Sequence, residues 1–392
     1  MIEIFILAGQ RTAIGDYGKA LKDVAPTKLA EIVIRAALAK SGVEAQDVQH
    51  VVLGNVIHTE PRDAYISRVA AVEAGIPAET PALTVNRLCG SGLQAVVSAA
   101  QSILLGDTDI AVAGGAESMS RGGYLLPTER WGARLGDSKV IDMVVGTLTD
   151  PFGHGHMGIT AENIAARYDI TRQMQDEFAA ESHRRAAAAI IAGHFKDQIT
   201  PVELPSRKGV TIFDTDEHPR AETTAESLAA LKAAFKKEGT VTAGNASGIN
   251  DGAGALVLAS GEAVKHRNLK PIARLVAYGH AGVAPEVMGL GPVPATQHAL
   301  RKAGLKISDL DVIESNEAFA AQACAVARDL DFDPAKVNPN GGAVALGHPI
   351  GASGAIIAIK AIHELHRSGG RYALATMCIG GGQGIAAIFE RV

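Results

Sequence analysis

The sequence of 392 residues is 47% hydrophobic and 20% charged, and its 37 basic and 42 acidic side chains leave a net charge of −5. That length supports a large core in two or three domains, and the lack of a basic block argues against nucleic acid as a partner. No run reads as a membrane span of about 18 apolar residues, and the opening Met1-Ile2-Glu3-Ile4 carries no leader pattern, so no membrane partner is expected. Three scattered cysteines, Cys89, Cys324 and Cys378, fit neither a disulfide framework nor a structural zinc site, and a cytoplasmic protein with reduced thiols is expected. Glycine is abundant, 43 of 392 residues, which points to many tight loops between packed elements and directs the search for function to those loops.

The first strong signal is helical: Pro26 to Lys40 spaces Leu29, Ile32, Val33 and Ala36 on one face, closes at Gly42, and leads into a strand at Val51 to Leu53. A small-residue helix from Leu93 to Leu105 and an apolar strand from Ile110 to Ala113 follow. The middle of the chain has Gly-rich loops, a helix from Gln173 to Ala192 and a polar stretch from Lys196 to Glu238. Helix and strand then alternate again, with His298 to Ala303 closing at Gly304, Leu310 to Ile313, Ala355 to His366 and Tyr372 to Met377. The two series share a register. Gly42 and Gly304, Asp47 and Asp309, Ser91-Gly92 and Ser353-Gly354, and Ala111 and Ala373 are each separated by 262 positions. The sequence therefore predicts a duplicated α/β protein. Residues 1–119 form one half, completed by about 250–270; residues 120–249 are an insert; residues 271–392 form the second half.

Candidate chemistry lies in the loops. Cys89 sits in Asn86-Arg87-Leu88-Cys89-Gly90-Ser91-Gly92 just before the Leu93 helix, whose positive N-terminus is expected to lower the thiol pKa and favour a nucleophilic thiolate. The competing reading is a small hydrophobe packed in a loop. His348 lies 262 positions after Asn86, ahead of the second Ser-Gly helix. A pseudo-two-fold arrangement would therefore bring an imidazole to the thiol, as a Cys nucleophile requires. Cys378 ends the Tyr372 to Met377 strand and opens Cys378-Ile379-Gly380-Gly381-Gly382, a backbone suited to offering amides to an oxyanion. Asn316, in Asn316-Glu317-Ala318-Phe319, supplies an amide able to orient water. Gly153, Gly155 and Gly158 spell a dinucleotide fingerprint without the strand that should precede it. His363 and His366 are one residue too close for a zinc helix motif, and His154 and His156 lack a carboxylate or cysteine cluster, so no metal is expected.

Together these four loop motifs resemble the signatures of the thiolase family, with the likeness running from Arg11-Thr12 to the C-terminus. Thr59-Glu60-Pro61-Arg62-Asp63 and Arg130-Trp131-Gly132-Ala133-Arg134 further resemble bacterial β-ketothiolases of broad chain-length range that feed polyhydroxyalkanoate synthesis. The resemblance implies a five-layered α-β-α-β-α fold with an inserted loop domain for coenzyme A binding and oligomerisation. It also implies acyl transfer between acyl-CoA, acetyl-CoA and 3-ketoacyl-CoA, with coenzyme A as substrate or product and no permanently bound cofactor. Cys89 would be the nucleophile, His348 its activator and Cys378 the acid/base. Asn316 with a water and His348 would hold an enolate, and the amides of Cys89 and Gly380 a tetrahedral oxyanion. Met157, Arg220, Ser227, Phe235, Ala243 and Ser247 would contact coenzyme A, with Arg207 and Lys208 near its phosphates. A homotetramer would assemble through Met119 to Lys139. A ketoacyl synthase-like condensing enzyme is the alternative, although Cys378 stands where such an enzyme would be expected to show a His or Asn.

Overall fold

The computed structural model describes residues 3–207 and 209–392. Lys208, expected near phosphates, lies outside the described residues, as do Met1 and Ile2 of the opening segment. The first half runs β1 (Ile4–Arg11), α1 (Pro26–Ser41), β2 (His50–Gly54), α2 (Ile66–Glu73), β3 (Ala82–Val85), α3 (Ser91–Leu105) and β4 (Ile110–Ser118). An excursion then carries α4 (Met157–Arg167), α5 (Arg172–Ala192) and a hairpin of β5 (Val202–Ser206) and β6 (Gly209–Phe213). The chain returns to the first half as β7 (Asn250–Ser260). The second half runs β8 (Ala273–Gly282), α6 (Pro292–Ala303), β9 (Val312–Ser315), α7 (Ala320–Asp329), α8 (Ser353–Ser368), β10 (Tyr372–Ile379) and β11 (Gln383–Arg391).

The duplication read from the 262-residue spacing is present in the topology. One hydrogen-bonded path runs β9-β10-β11-β8-β1-β7-β4-β2-β3. The inner pairs β1/β7 and β7/β4 are antiparallel and β4/β2 parallel, and β8/β11, β11/β10 and β10/β9 repeat that order. Both inner strands carry a bulge, at Leu7 in β1 and at Val276 in β8, which bends each sheet at the same place. Among the described residues, the two sheets hydrogen-bond to each other through Ile4–Ile6 of β1 against Ala273–Leu275 of β8. Helices α1 and α6 repeat as well, each with proline at its start and a left-handed glycine, Gly42 or Gly304, at its end.

Layering follows from which face of each strand is apolar. Alternate residues of β4 and β7, such as Val112 and Val257, pack outward on α1 and α2. The intervening residues, Ala113 and Leu256 among them, face inward with Met377 and Ala387 of the second sheet, and α3 and α8 lie between. On the far side α6 and α7 cover Leu374 and Ile388. The order is thus helices, sheet, helices, sheet, helices. One stretch, Leu88–Leu105, corrects the expectation that no run approaches a membrane span: over 18 residues its mean hydropathy is 1.4. It is apolar because α3 is the central layer, covered by sheet on both sides.

At the centre, α3 and α8 cross at their first turns. A Cβ on Gly92 would sit 2.7 Å from the amide nitrogen of Ala355, and one on Gly354 would sit 2.3 Å from that of Leu93. These contacts are reciprocal across the 262-residue repeat. No side chain can move out of the way, because the opposing atoms are backbone. The excursion is held to this core by a buried ion pair, in which Arg11 of β1 makes bidentate bonds of 2.7 and 2.9 Å to Asp216 and a third to Gln198. Gly354→Ala is expected to cost about 2–3 kcal/mol or more, as overpacking of a close crossing does. Denaturant unfolding measures it, and an unchanged midpoint would show that the two helices can separate without loss.

Candidate active site

Cys89 is placed by a strained turn. After β3 the chain turns through Asn86 to Gly90, and Leu88 adopts φ +46°, a left-handed conformation that costs a branched-chain residue about 1–2 kcal/mol. Local bonds hold it there: Asn86 Oδ1 accepts from the Leu88 amide at 3.0 Å, and Ser91 Oγ accepts from the Arg87 amide and donates to the Leu88 carbonyl. The turn presents Cys89 just ahead of α3 and puts the Leu88 side chain in the same cavity.

His348 is held as firmly. Its amide donates to Asn250 Oδ1 at 2.9 Å, and Asn250 in turn donates to the Gly15 carbonyl. Gly347 precedes it at φ +102°, where any Cβ would lie 2.4 Å from the Asn250 side chain. The ring tautomer follows from proton counting. Ser353 Oγ has one hydrogen and donates it to the Pro349 carbonyl at 2.9 Å, so it accepts from His348 Nδ1–H at 2.6 Å. Nε2 therefore carries the lone pair, with Asn316 Nδ2 at 3.4 Å. Burial keeps this imidazole neutral, pushing its pKa down to about 4.

A cavity of about 50 Å³ brings Cys89, His348, Cys378 and Gly380 together, with Met157, Ser247, Met288 and Phe319 among its walls. Asn316 stands behind His348 and does not line this cavity. Cys378 lies within β10, which extends to Ile379, where the sequence placed it at the strand end. The expected low pKa of Cys89 is also corrected. Burial pushes that thiol up to about 11, although hydrogen bonds from the Gly380 amide and its own amide pull the other way. Desolvation by burial outweighs the start of one helix. Cys378 is pushed further up by burial and by its neighbour Cys89.

Of the remaining expected residues, Met157 and Ser247 reach the cavity. Phe235 packs beside it, stacked on His156 at 4.6 Å and edge-on to Phe319 at 6.2 Å. Arg220, Ser227 and Ala243 are exposed and stand apart from the cavity walls. Glu117 was missed by sequence reasoning. Its buried carboxylate accepts from the amides of Val56, Ile57 and Gly351 and from Asn55 Nδ2, which ties the loop after β2 to the His348 loop. Burial pushes its pKa up to about 8. A lone carboxylate closing the apolar run Ile110 to Ala116 is the signal that marks it. A larger cavity of about 320 Å³ between α5, α7 and residues 332–338 holds none of these groups; Cys324 lines it, its thiol pushed up to about 12.

The family models for the thiolase N-terminal and C-terminal domains match residues 4–262 and 269–391. The chain belongs to the thiolase family. It is 64% identical to beta-ketothiolase BktB of Cupriavidus necator over 391 residues, covering 100% of this chain and 99% of that one. An acetyl-CoA acetyltransferase of Chromobacterium violaceum is 51% identical over the full length of both. The crystal structure of human mitochondrial 3-ketoacyl-CoA thiolase in complex with CoA superposes with a TM-score of 0.97 at 46% identity, covering 100% of this chain and 98% of that one. The ketoacyl synthase alternative is set aside by these matches, which cover both halves of this thiolase.

The low His348 pKa has a signed consequence for stability. The unfolded chain takes up a proton on this histidine near pH 6.5 and the folded thiolase only near 4, so stability is lost as pH falls through that window. His348→Asn is expected to remove on the order of 2–3 kcal/mol of this dependence. Denaturant titrations of both proteins between pH 7 and 4 measure it, and parallel slopes would show that His348 is not buried neutral.

Proposed function

We propose that this thiolase catalyses the reversible Claisen condensation of acetyl-CoA with acyl-CoA, and the CoA-dependent thiolysis of 3-ketoacyl-CoA, through an acyl group carried on Cys89. The observation that carries the reading is the convergence of two thiols and one neutral imidazole on a single cavity with mostly apolar walls, with two amides aimed at Cys89 Sγ.

Each starting protonation state has a use. Cys89 begins as a thiol, and Nε2 of His348 takes its proton as Sγ attacks the thioester carbonyl. Cys378, also a thiol, gives its proton to the departing CoA sulfur. The first half-reaction thus leaves an acylated Cys89, a protonated His348 and a Cys378 thiolate. The thiolate then removes a proton from the methyl of a second acetyl-CoA. His348 Nε2–H, now a donor, and a water oriented by Asn316 hold the enolate oxygen. Attack of the enolate carbon on the acyl carbonyl forms a tetrahedral oxyanion between the amides of Cys89 and Gly380, each such donor contributing about 3 kcal/mol. Collapse expels the Cys89 thiolate, which recovers its proton from His348. All three groups return to their starting states.

Coenzyme A is proposed to lie across the excursion, with Met157 and Ser247 at its reactive end, Phe235 beside the pantetheine or adenine, and Ser227, Ala243, Arg220 and Arg207 toward its phosphates. The chain-length range is proposed to extend beyond four carbons, on the resemblance of Thr59-Glu60-Pro61-Arg62-Asp63 and Arg130-Trp131-Gly132-Ala133-Arg134 to β-ketothiolases of broad chain-length range. A homotetramer is proposed through the segment around Met119 to Lys139, where Tyr124, Leu125 and Trp131 are exposed, Trp131 by 86%. Light scattering is expected to return four copies, and a mass near one chain would refute that assembly.

The division of labour between the cysteines is tested by labelling and turnover. After acetyl-CoA treatment, peptide mapping should find one acetyl group, on the Cys89 peptide. Cys378→Ala should still take up that label, more slowly without the proton that Cys378 gives the departing CoA sulfur, while condensation and cleavage of acetoacetyl-CoA and 3-ketohexanoyl-CoA fall by about 10² or more. Cys89→Ala should lose both. A Cys378 variant with full turnover, or without acylation, would reverse the assignment.

A further inference from the structure

Behind His348 lies a second, smaller cavity of about 20 Å³, and every residue around it is buried. That volume holds one water molecule. Its walls include Glu314, Ser315 and Asn316 at the end of β9, and Ser353 and Lys360 on α8. Two of those residues carry polar atoms that find no partner among the described residues, Glu314 Oε1 and Ser315 Oγ. Lys360 is also incompletely paired. Its ammonium has three hydrogens, and two are placed, on Glu314 Oε2 at 2.8 Å and on the Gly341 carbonyl at 2.7 Å.

We propose that this cavity is a structural water site, and that the buried Glu314–Lys360 pair acts through that water as a positioning unit for Asn316 and His348. The inference rests on the proposed acyl-transfer role of His348. One water satisfies the three groups at once. It accepts from Lys360 Nζ and from Ser315 Oγ and donates to Glu314 Oε1, leaving one hydrogen for a further wall acceptor. Without it, three buried polar groups would bear the cost of desolvation unpaired. The same cavity is walled by both residues that contact the imidazole, Asn316 at Nε2 and Ser353 at Nδ1. The water and the ion pair thus fill the space into which either could relax. Glu314, Ser315 and Lys360 do not line the Cys89 cavity, and act through Asn316 and Ser353.

A crystal structure of the whole protein at high resolution is expected to show one ordered water within about 2.7–3.2 Å of Glu314 Oε1, Ser315 Oγ and Lys360 Nζ. Two variants read the positioning role. Ser315→Ala removes one water partner. The paired change Glu314→Leu with Lys360→Met removes the charges together, so that no buried charge is left alone. In each, kcat for thiolysis of acetoacetyl-CoA is expected to fall about tenfold or more, as small misplacement of catalytic groups does, with KM within about twofold of the native value. Fold integrity is read from unchanged far-ultraviolet circular dichroism and assembly mass. A cavity closed by side chains or holding no water overturns the site. Native kcat in both folded variants overturns the positioning role. A native protein that turns over no acyl-CoA overturns the thiolase reading instead, and the water site is then decided by the density alone.

Discussion

The structure depends on the crossing of α3 and α8 at Gly92 and Gly354. Two helices approach closely enough there that a methyl group on either would meet the backbone of the other. Because the contact is reciprocal, the start of each helix is fixed relative to its counterpart, and so are the loops that lead into them. Cys89 lies three residues before Gly92, and His348 six before Gly354. Cys89 and His348, the proposed nucleophile and base, thus come from opposite halves of the chain and share one cavity. The glycines are needed for approach, since both are helical and neither requires a left-handed backbone.

Around that crossing, buried carboxylates hold the irregular loops. Glu117 gathers the amides of Val56, Ile57 and Gly351. Glu317 accepts from Ser182 of α5, from Asn338 and from the Val344 amide, which ties the excursion to the loop before His348. Glu162 of α4 takes the amides of Thr240 and Val241. Loop backbone in a protein interior has no ladder to satisfy it, and a carboxylate with four lone-pair directions can take several amides at once. The site is rigid because its loops are bonded to carboxylates that are themselves enclosed.

Burial then sets the starting protonation states. In an apolar cavity neither thiol ionises readily and the imidazole stays neutral. A reaction begun in that state must move a proton before it makes a charge, and the positions of Nε2, Cys378 and the two amides suit that sequence. The helix N-terminus and the Gly380 amide do not make a free thiolate. In the proposed reaction their partial charges act on negative charge as it forms, in a buried site where they are stronger than in bulk water.

Much was legible in the sequence because it is local or repeated. The periodicity of α1, the small residues of α3, the glycine stops at Gly42 and Gly304, and the constant spacing of 262 follow from backbone sterics and from the duplication, and they mark the repeat and the four loops. The pKa of Cys89 was not legible, since a helix start is visible in sequence while desolvation depends on what the other half brings to cover it. The hydropathy of Leu88–Leu105 is visible in the sequence, but only the structure shows that it reflects a layer of sheet on either side. Glu117, Glu314 and Lys360 are ordinary charged residues in a linear reading. Only the tertiary structure buries them against loops and against each other, and burial is what turns such charges into constraints on the site.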